Sequence, residues 1–528
     1  MLYEQIETLS HSESIADDLP KGVAELKALL LISRKENKQL AEKVDSLSEE
    51  NRQLKRFLFA HKSEKWIAED KKQMLIFNEV EATATKEEKY QNIPSHKRRK
   101  AGRKALADSI PRVEIPHDLL DEEKNCASGH EMQKIGEDIR EELKYVPAKL
   151  YVEKHLYPKY ACKHCAKVTP EAATVKSAVR EPQVIPRSFA SPGLLAYLII
   201  SKYQDHLPLY RLERIFARLG VELSRQTMAN WLIRVSFSLR RLLVVMRQDI
   251  QKGKIMTADE TPFQVVKEPG RTYDQESYMW VFTNNDDEHP VVLYRYAETR
   301  SGKNARRVTR KFSGHLMSDG FSGYDACASK KIILIACWAH VRRKFKAAYD
   351  DSKSELSAQF LQIIQNLYRI ERYLRRADVD AETNLEMRTK VSRQFLNELH
   401  ALLIAQQSHV LTQSLLGKAI SYAMNLWPRL TIFAQNGELP IDNNITENAI
   451  RPFAVGRKNW LFSITPRGAF AGSALYSVQQ SAIANGLDLY QYWVFLLAQL
   501  PRLKTRADFQ SVAPHRVRKG DFKGDGKN

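Results

Sequence analysis

A multidomain α/β protein is what the sequence predicts, with a mixed sheet interrupted by an all-helical insert. Three observations carry this. The chain has 528 residues, too many for one core. Between 254 and 337, three consecutive β-rich segments, a basic helix and two more short strands read as a sheet flanked by helices. Residues 350–435 then carry almost no strand signal and are rich in Leu, Gln and Arg.

Composition bounds the partners. Lys and Arg number 82 against 63 Asp and Glu, a net charge of +19. Such an excess suits a polyanion, usually nucleic acid, although a basic and inert surface gives the same count. The five Cys are too few and odd in number for a disulfide framework, which points to a reducing cytoplasm. No apolar run reaches the length of a membrane span, so no membrane partner is expected.

In chain order, residues 1–60 form a coiled-coil dimerisation segment. Its seams over 22–58 are Val23, Leu30, Asn37, Val44 and Asn51, and Leu26, Ser33, Leu40, Leu47 and Leu54. An amphipathic helix packed on its own protein is the alternative. Residues 61–110 are a basic linker. Lys100, Arg103 and Lys104 either follow a phosphate backbone or are simply solvated. Residues 111–187 make a small β module. Cys162-Lys-His-Cys165 has the spacing of half a tetrahedral zinc site, and Cys126 with His130 would complete it. Unliganded thiols in the same module are the plainer reading.

Residues 188–252 are a helical region laid out as a helix-turn-helix. One helix opens at Ser191-Pro192, a second spans 209–219 and stops at Gly220, and Ser224 caps a third. Arg225, Gln226 and Asn230 then offer donors for base edges. Helical hairpins that never touch DNA share this layout. The α/β part follows in two pieces, 253–349 and 437–490, around the helical insertion 350–436. Its strands are expected over 254–266, 277–284, 291–297, 315–318 and 332–337. Residues 491–528 are a C-terminal helix and a basic tail, expected to fray from Arg502 onward.

Three acids sit at turn signals. Asp259 ends the first strand, Asp319 precedes Gly320 after the fourth, and Glu447 lies in the first turns of a helix that Asn443 or Asn444 would cap. Each alone reads as a surface or capping carboxylate. Together they suit phosphodiester chemistry, which uses two hard cations about 3.5–4 Å apart held by carboxylates. His340, Arg342, Arg343 and Lys344 follow a strand nearby and would meet phosphate or developing charge, as would Arg457 and Lys458. Arg451, four residues after Glu447, would orient it. Structural ion pairs are the competing account of all of these. Trp338 and Trp460 read as core residues before base-stacking ones.

Long motifs give these residues context. They include Ser201-Lys-Tyr-Gln-Asp-His-Leu-Pro-Leu-Tyr210, Ala258-Asp-Glu-Thr-Pro262, Ser318-Asp-Gly320 and Cys337-Trp-Ala-His-Val-Arg-Arg-Lys-Phe345. Ile441-Asp-Asn-Asn444 and Gly456-Arg-Lys-Asn-Trp-Leu-Phe462 follow. In these the chain resembles the bacterial insertion-sequence transposases of family sixty-six, from about residue 20 to about residue 505. The resemblance implies an RNase-H-like DDE catalytic domain, with Asp259, Asp319 and Glu447 as the catalytic triad holding two Mg²⁺ or Mn²⁺ ions. It implies a structural zinc on Cys126, His130, Cys162 and Cys165, although the first knuckle carries one Cys where the family has two. Asn448 stands where many members have Arg. The implied activity binds element ends, cleaves strands and transfers 3′-hydroxyls to target DNA. The implied partners are double-stranded DNA, a second copy or a higher assembly, and two small accessory proteins, in the bacterial nucleoid. A catalytically silent DNA-binding regulator on the same fold, and a host nuclease or resolvase, are the rivals.

Overall fold

The protein is described from a computed structural model. It describes residues 175–518 without a break, residues 150–161, and isolated positions elsewhere. The chain divides into two units, 59–151 and the remainder, and the account below concerns the second from residue 152. Lys100, Arg103, Lys104, Cys126, His130, Cys162 and Cys165 lie outside the described residues, as does the heptad segment apart from Arg34 and Asn37, both helical.

A short antiparallel pair, β1 (Lys159–Ala161) and β2 (Val175–Ser177), precedes the main body. Four helices follow: α1 (Pro192–Tyr203), α2 (Leu209–Arg218), α3 (Arg225–Ser238) and α4 (Arg240–Ile250). The caps are those the residues dictate. Ser191 accepts from the Leu194 amide, Pro192 starts α1, and Ser224 accepts from the Thr227 amide. Gly220 takes a left-handed φ of 81° just after α2.

The sheet has strands β3 (Ile255–Val265), β4 (Glu276–Asn284), β5 (Val292–Ala297), β6 (Gly314–Ser318) and β7 (Ile332–Ala336), in the order β5-β4-β3-β6-β7. β3, β4 and β5 are antiparallel, whereas β6 and β7 run parallel to β3. A two-residue strand β8 (Phe462–Ser463) also pairs with β3. β5 would be an exposed edge. Helix α12 (Pro466–Ala484) covers it: Ser481 and Ser477 accept the Val292 and Tyr294 amides at 2.8 Å each.

Helices α5 (Lys303–Thr309) and α6 (Trp338–Ser352) follow β5 and β7. The helical stretch comprises α7 (Glu355–Arg376), α8 (Ala381–Met387), a π turn (Arg388–Ser392), α9 (Arg393–Gln407) and α10 (Leu415–Leu430). Then come α11 (Asn444–Trp460), α12, α13 (Leu489–Gln499) and α14 (Arg506–Ser511). One apolar core joins α1–α4 to β3–β5 and α12–α13, and a second joins β6 and β7 to α6 and the helical stretch. The helix-turn-helix layout is therefore packed onto the sheet's own core, with α3 against α12 and α1 against α13.

Two expectations need correction. β3 does not end at Asp259 but continues to Val265. The chain beyond Arg502 is not frayed as far as residue 518. Thr505 and Asp508 form a capping box, Phe509, Val512 and Val517 are buried, and His515 and Arg516 bind Asp249 of α4. Its basic composition hides apolar anchors spaced along the segment.

Candidate active site

Asp259 sits where β3 has lost one neighbour. β6 pairs with β3 as far as Thr257, and β8 takes over only at Gln264. Between them α11 serves the strand with side chains. Asn443 Nδ2 donates to the Ala258 carbonyl at 2.9 Å. Arg457 donates to Thr261 Oγ1 at 2.7 Å and to the Pro262 carbonyl. Asn443 does occupy the N-cap position, but its side chain makes no cap bond because it is spent on the strand. Asn444 Nδ2 turns to Asp442 at 2.8 Å instead.

The odd-numbered side chains of β3 face α11, since alternate residues share a face. Thr257 Oγ1 lies 2.5 Å from Thr446 Oγ1, which is also 3.1 Å from Thr283 Oγ1. This buried hydroxyl cluster docks the first turn of α11. Glu447, next in that turn, is thereby set on the Asp259 side of the sheet, at the positive end of the helix dipole.

Asp319 follows β6 directly. Its Oδ1 accepts the Phe321 amide at 2.9 Å, and its carbonyl accepts from the Tyr422 hydroxyl of α10. Gly320 has φ 87°, and a Cβ there would stand 2.4 Å from Leu426 Cδ1. The turn that presents Asp319 therefore needs glycine for two separate reasons.

Electrostatics show that the acids converge. Burial pushes the Asp259 carboxyl up to about 7, helped by the charges of Glu260, Asp319 and Glu447. Glu447 pairs with Arg343 and lies 3.6 Å from His340 Nδ1. Burial, then Arg343, holds His340 below its ordinary value, so its ring is neutral at pH 7. Arg300 bridges Glu260 at 2.7 Å and Asp319 at 3.9 Å.

The donor set suits a hard cation: clustered carboxylates that repel one another, with a neutral imidazole beside them. Cys337 also lies within 4.8 Å of His340 and Glu447. Its thiol is pushed up to about 12 by burial and accepts the Asn443 amide, so it stays protonated and structural.

The other expected residues separate into three groups. Arg343 and His340 touch Glu447, whereas Arg342 is exposed and touches none of the three acids. Arg451 does not orient Glu447. It is exposed, and the nonlocal Arg343 takes that carboxylate. Arg457, expected on phosphate, braces β3, while Lys458 is exposed. Trp338 is buried and donates to the Leu430 carbonyl at 2.9 Å, and Trp460 packs edge-on to Phe453. Arg225, Gln226 and Asn230 are exposed on α3.

Sequence reasoning missed Glu260, Arg300, Tyr324, Tyr422 and Thr446. Glu260 follows Asp259 but faces the other side, where Tyr324 donates to it at 2.5 Å and Arg300 pairs with it. Period-two alternation could have separated these neighbouring acids. Nothing local marks Tyr422, which arrives from the helical stretch.

Three family models match the chain. Residues 187–471 match the family described as "Transposase IS66 family", a span that holds all three acids. Residues 123–166 match the "zinc-finger binding domain of transposase IS66", and residues 46–115 match "Transposase C of IS166 homeodomain". Among its relatives is the uncharacterized protein y4qI of Sinorhizobium fredii (strain NBRC 101917 / NGR234). It is 29% identical, over 94% of this chain and 97% of that one. Another is y4jD of the same organism, 30% identical over 75% of this chain and 78% of its own. The chain therefore belongs to the IS66 family of transposases.

Proposed function

We propose that this transposase binds the ends of its insertion sequence, cleaves the strands and transfers the 3′-hydroxyls to target DNA, on an RNase-H-like core. The mixed sheet, antiparallel on one side of β3 and parallel on the other, supports that core. The observation that carries the chemistry is that acids from β3, the β6 turn and α11 come together over the open stretch of β3, where Asp259, its carboxyl raised chiefly by burial, also feels the charges of Glu260, Asp319 and Glu447.

Asp259, Asp319 and Glu447 would hold two Mg²⁺ or Mn²⁺ ions. When bound, these supply an activated oxygen nucleophile and charge stabilisation at the leaving oxygen. The chain's own residues orient that site. Thr446 and Asn443 fix the height of Glu447 over β3. Gly320 and Tyr422 fix the Asp319 turn. Arg343 holds Glu447 and is exposed enough to meet a phosphate. Arg300 offsets the charge of Glu260 and Asp319 from the far side.

Recognition of the ends is assigned to 93–250, with Arg225, Gln226 and Asn230 on α3 reading bases. Lys100, Arg103 and Lys104 add salt-dependent phosphate contact. The zinc-finger match over 123–166 supports structural zinc on Cys126, His130, Cys162 and Cys165. The heptads of 22–58 support pairing of two copies.

Cleavage of a duplex carrying the element ends, with and without Mg²⁺, tests this. Asp259→Asn, Asp319→Asn and Glu447→Gln should each abolish cleavage and transfer while end binding persists. Cleavage at the wild-type rate by one variant removes that residue from the site.

A further inference from the structure

The sheet has a second charged face. Helix α4, strand β5 and the end of α5 with the turn after it enclose a cavity of about 420 Å³. Five cations line it: Arg247, Arg295, Arg307, Arg310 and Lys311. Its place follows from β5. Tyr294 reaches α11 through its hydroxyl, bonded to the Ala449 carbonyl, so Arg295 beside it points to the opposite face. The cavity therefore lies across the sheet from Asp259 and Glu447.

Among the described residues, no carboxylate forms an ion pair with any of the five. The acid on α4, Asp249, is taken by Lys252, His515 and Arg516. The Nε atoms of Arg247 and Arg295 are buried and make no hydrogen bond. A buried donor left unmet is costly, and crowded guanidinium groups add repulsion. Burial, then Arg307 and Arg247, lowers the Arg295 pKa from its ordinary value. An anion removes both costs. Guanidinium forks match phosphate oxygens in particular. Arg307, Arg310 and Lys311 are exposed at the rim, so the cavity is open to a chain of phosphates rather than sealed around one.

We propose that this cavity is a phosphate-binding site, occupied by the backbone of a DNA duplex on the face of the sheet opposite the acidic cluster. The inference goes beyond the function proposed above, because it needs no cleavage chemistry. It gives the protein a second DNA path, separate from the acids and independent of base sequence.

The test uses the full chain without divalent metal, and two probes: a short duplex of random sequence, read by fluorescence anisotropy, and tripolyphosphate, read by calorimetry. The variant is Arg295→Gln with Arg307→Gln, its fold checked by an unchanged circular dichroism melt. We expect duplex binding to weaken about tenfold. The slope of log K against log salt should fall by about 1 for each phosphate that the variant no longer neutralises. Tripolyphosphate should bind the wild type, compete with the duplex and lose affinity in the variant. Loss of tripolyphosphate binding with duplex binding unchanged would overturn the DNA assignment and leave a site for a small polyphosphate. No change with either probe would overturn the site itself. If the double variant does not fold, Arg310→Gln with Lys311→Gln, both at the exposed rim, carries the same readouts with a smaller loss. Neither readout depends on cleavage, so failure here is distinct from failure of the acidic site.

Discussion

Replacing Asp259 by Asn should stabilise the metal-free protein, although it removes a residue central to the proposed chemistry. The carboxyl moves from an ordinary 3.8 to about 7 on folding, driven by burial and then by three neighbouring acids. At about 1.4 kcal/mol per tenfold, that is about 4 kcal/mol of cost to the charged form. Asp259 keeps partial contact with water, so screening reduces the figure to about 2 kcal/mol. The sign follows from linkage. Between pH 3.8 and about 7 the folded carboxyl keeps a proton that the unfolded one has lost, so stability falls as pH rises through this window. The amide has no such term. The Asn variant should therefore match the wild type below about pH 4 and exceed it by about 2 kcal/mol at pH 8. Urea unfolding of both proteins in chelator, followed by circular dichroism across that range, measures the difference. Added Mg²⁺ should close the gap by stabilising the wild type more. A gap that is absent at pH 8, or the same at every pH, would refute the reasoning.

Two further outcomes are expected. Glu371→Gln should cost about 3–5 kcal/mol in urea unfolding, because it strips the buried Arg388 of its two-point partner, bonded at 2.9 and 2.6 Å. Arg388→Met combined with Glu371→Leu should recover only part of that loss, because the Phe433 and Asn436 carbonyls lose the donor that Arg388 gives them. Gly320→Ala should cost about 1–3 kcal/mol through its left-handed φ alone. Adding Leu426→Ala should relieve the steric part and leave the backbone part, as thermal unfolding of both variants will show.

Much of the sheet was legible because its strands are written in β-branched and aromatic residues with clear stops. The stretch 277–284 falls within one residue of β4, and Gly220 and Ser224 stop and start helices where their chemistry says they should. The three acids stood out through their surrounding motifs rather than by themselves. What could not be read was nonlocal. Arg451 is one helical turn from Glu447, and spacing alone made it the natural partner. Yet Arg343, more than a hundred residues earlier, takes the carboxylate, because α6 and the start of α11 meet just past the end of β7, where the Asn443 amide bonds Cys337. Asn443 looked like a cap because its residue type favours one. Burial beside an unpaired stretch of β3 redirected it, since an unmet backbone carbonyl costs more than an uncapped helix end that water can reach. The C-terminal segment misled through composition: a few buried apolar side chains outweigh a basic average.

The helical stretch is more than a spacer between the second Asp and the Glu. Its core is continuous with that of β6, β7 and α6, where Phe345 stacks on Phe360 at 4.6 Å and Trp338 meets Trp427 and Phe433. Its last long helix, α10, sends Tyr422 to the Asp319 carbonyl and Leu426 against Gly320. Lys344, on the same helix as Arg343, stands 4.5 Å over the Tyr422 ring. One helix of the insertion thus touches both the turn that presents Asp319 and the helix that grips Glu447. A shift of α10 would move two acids that are distant in sequence, which makes this stretch part of the framework of the proposed active site.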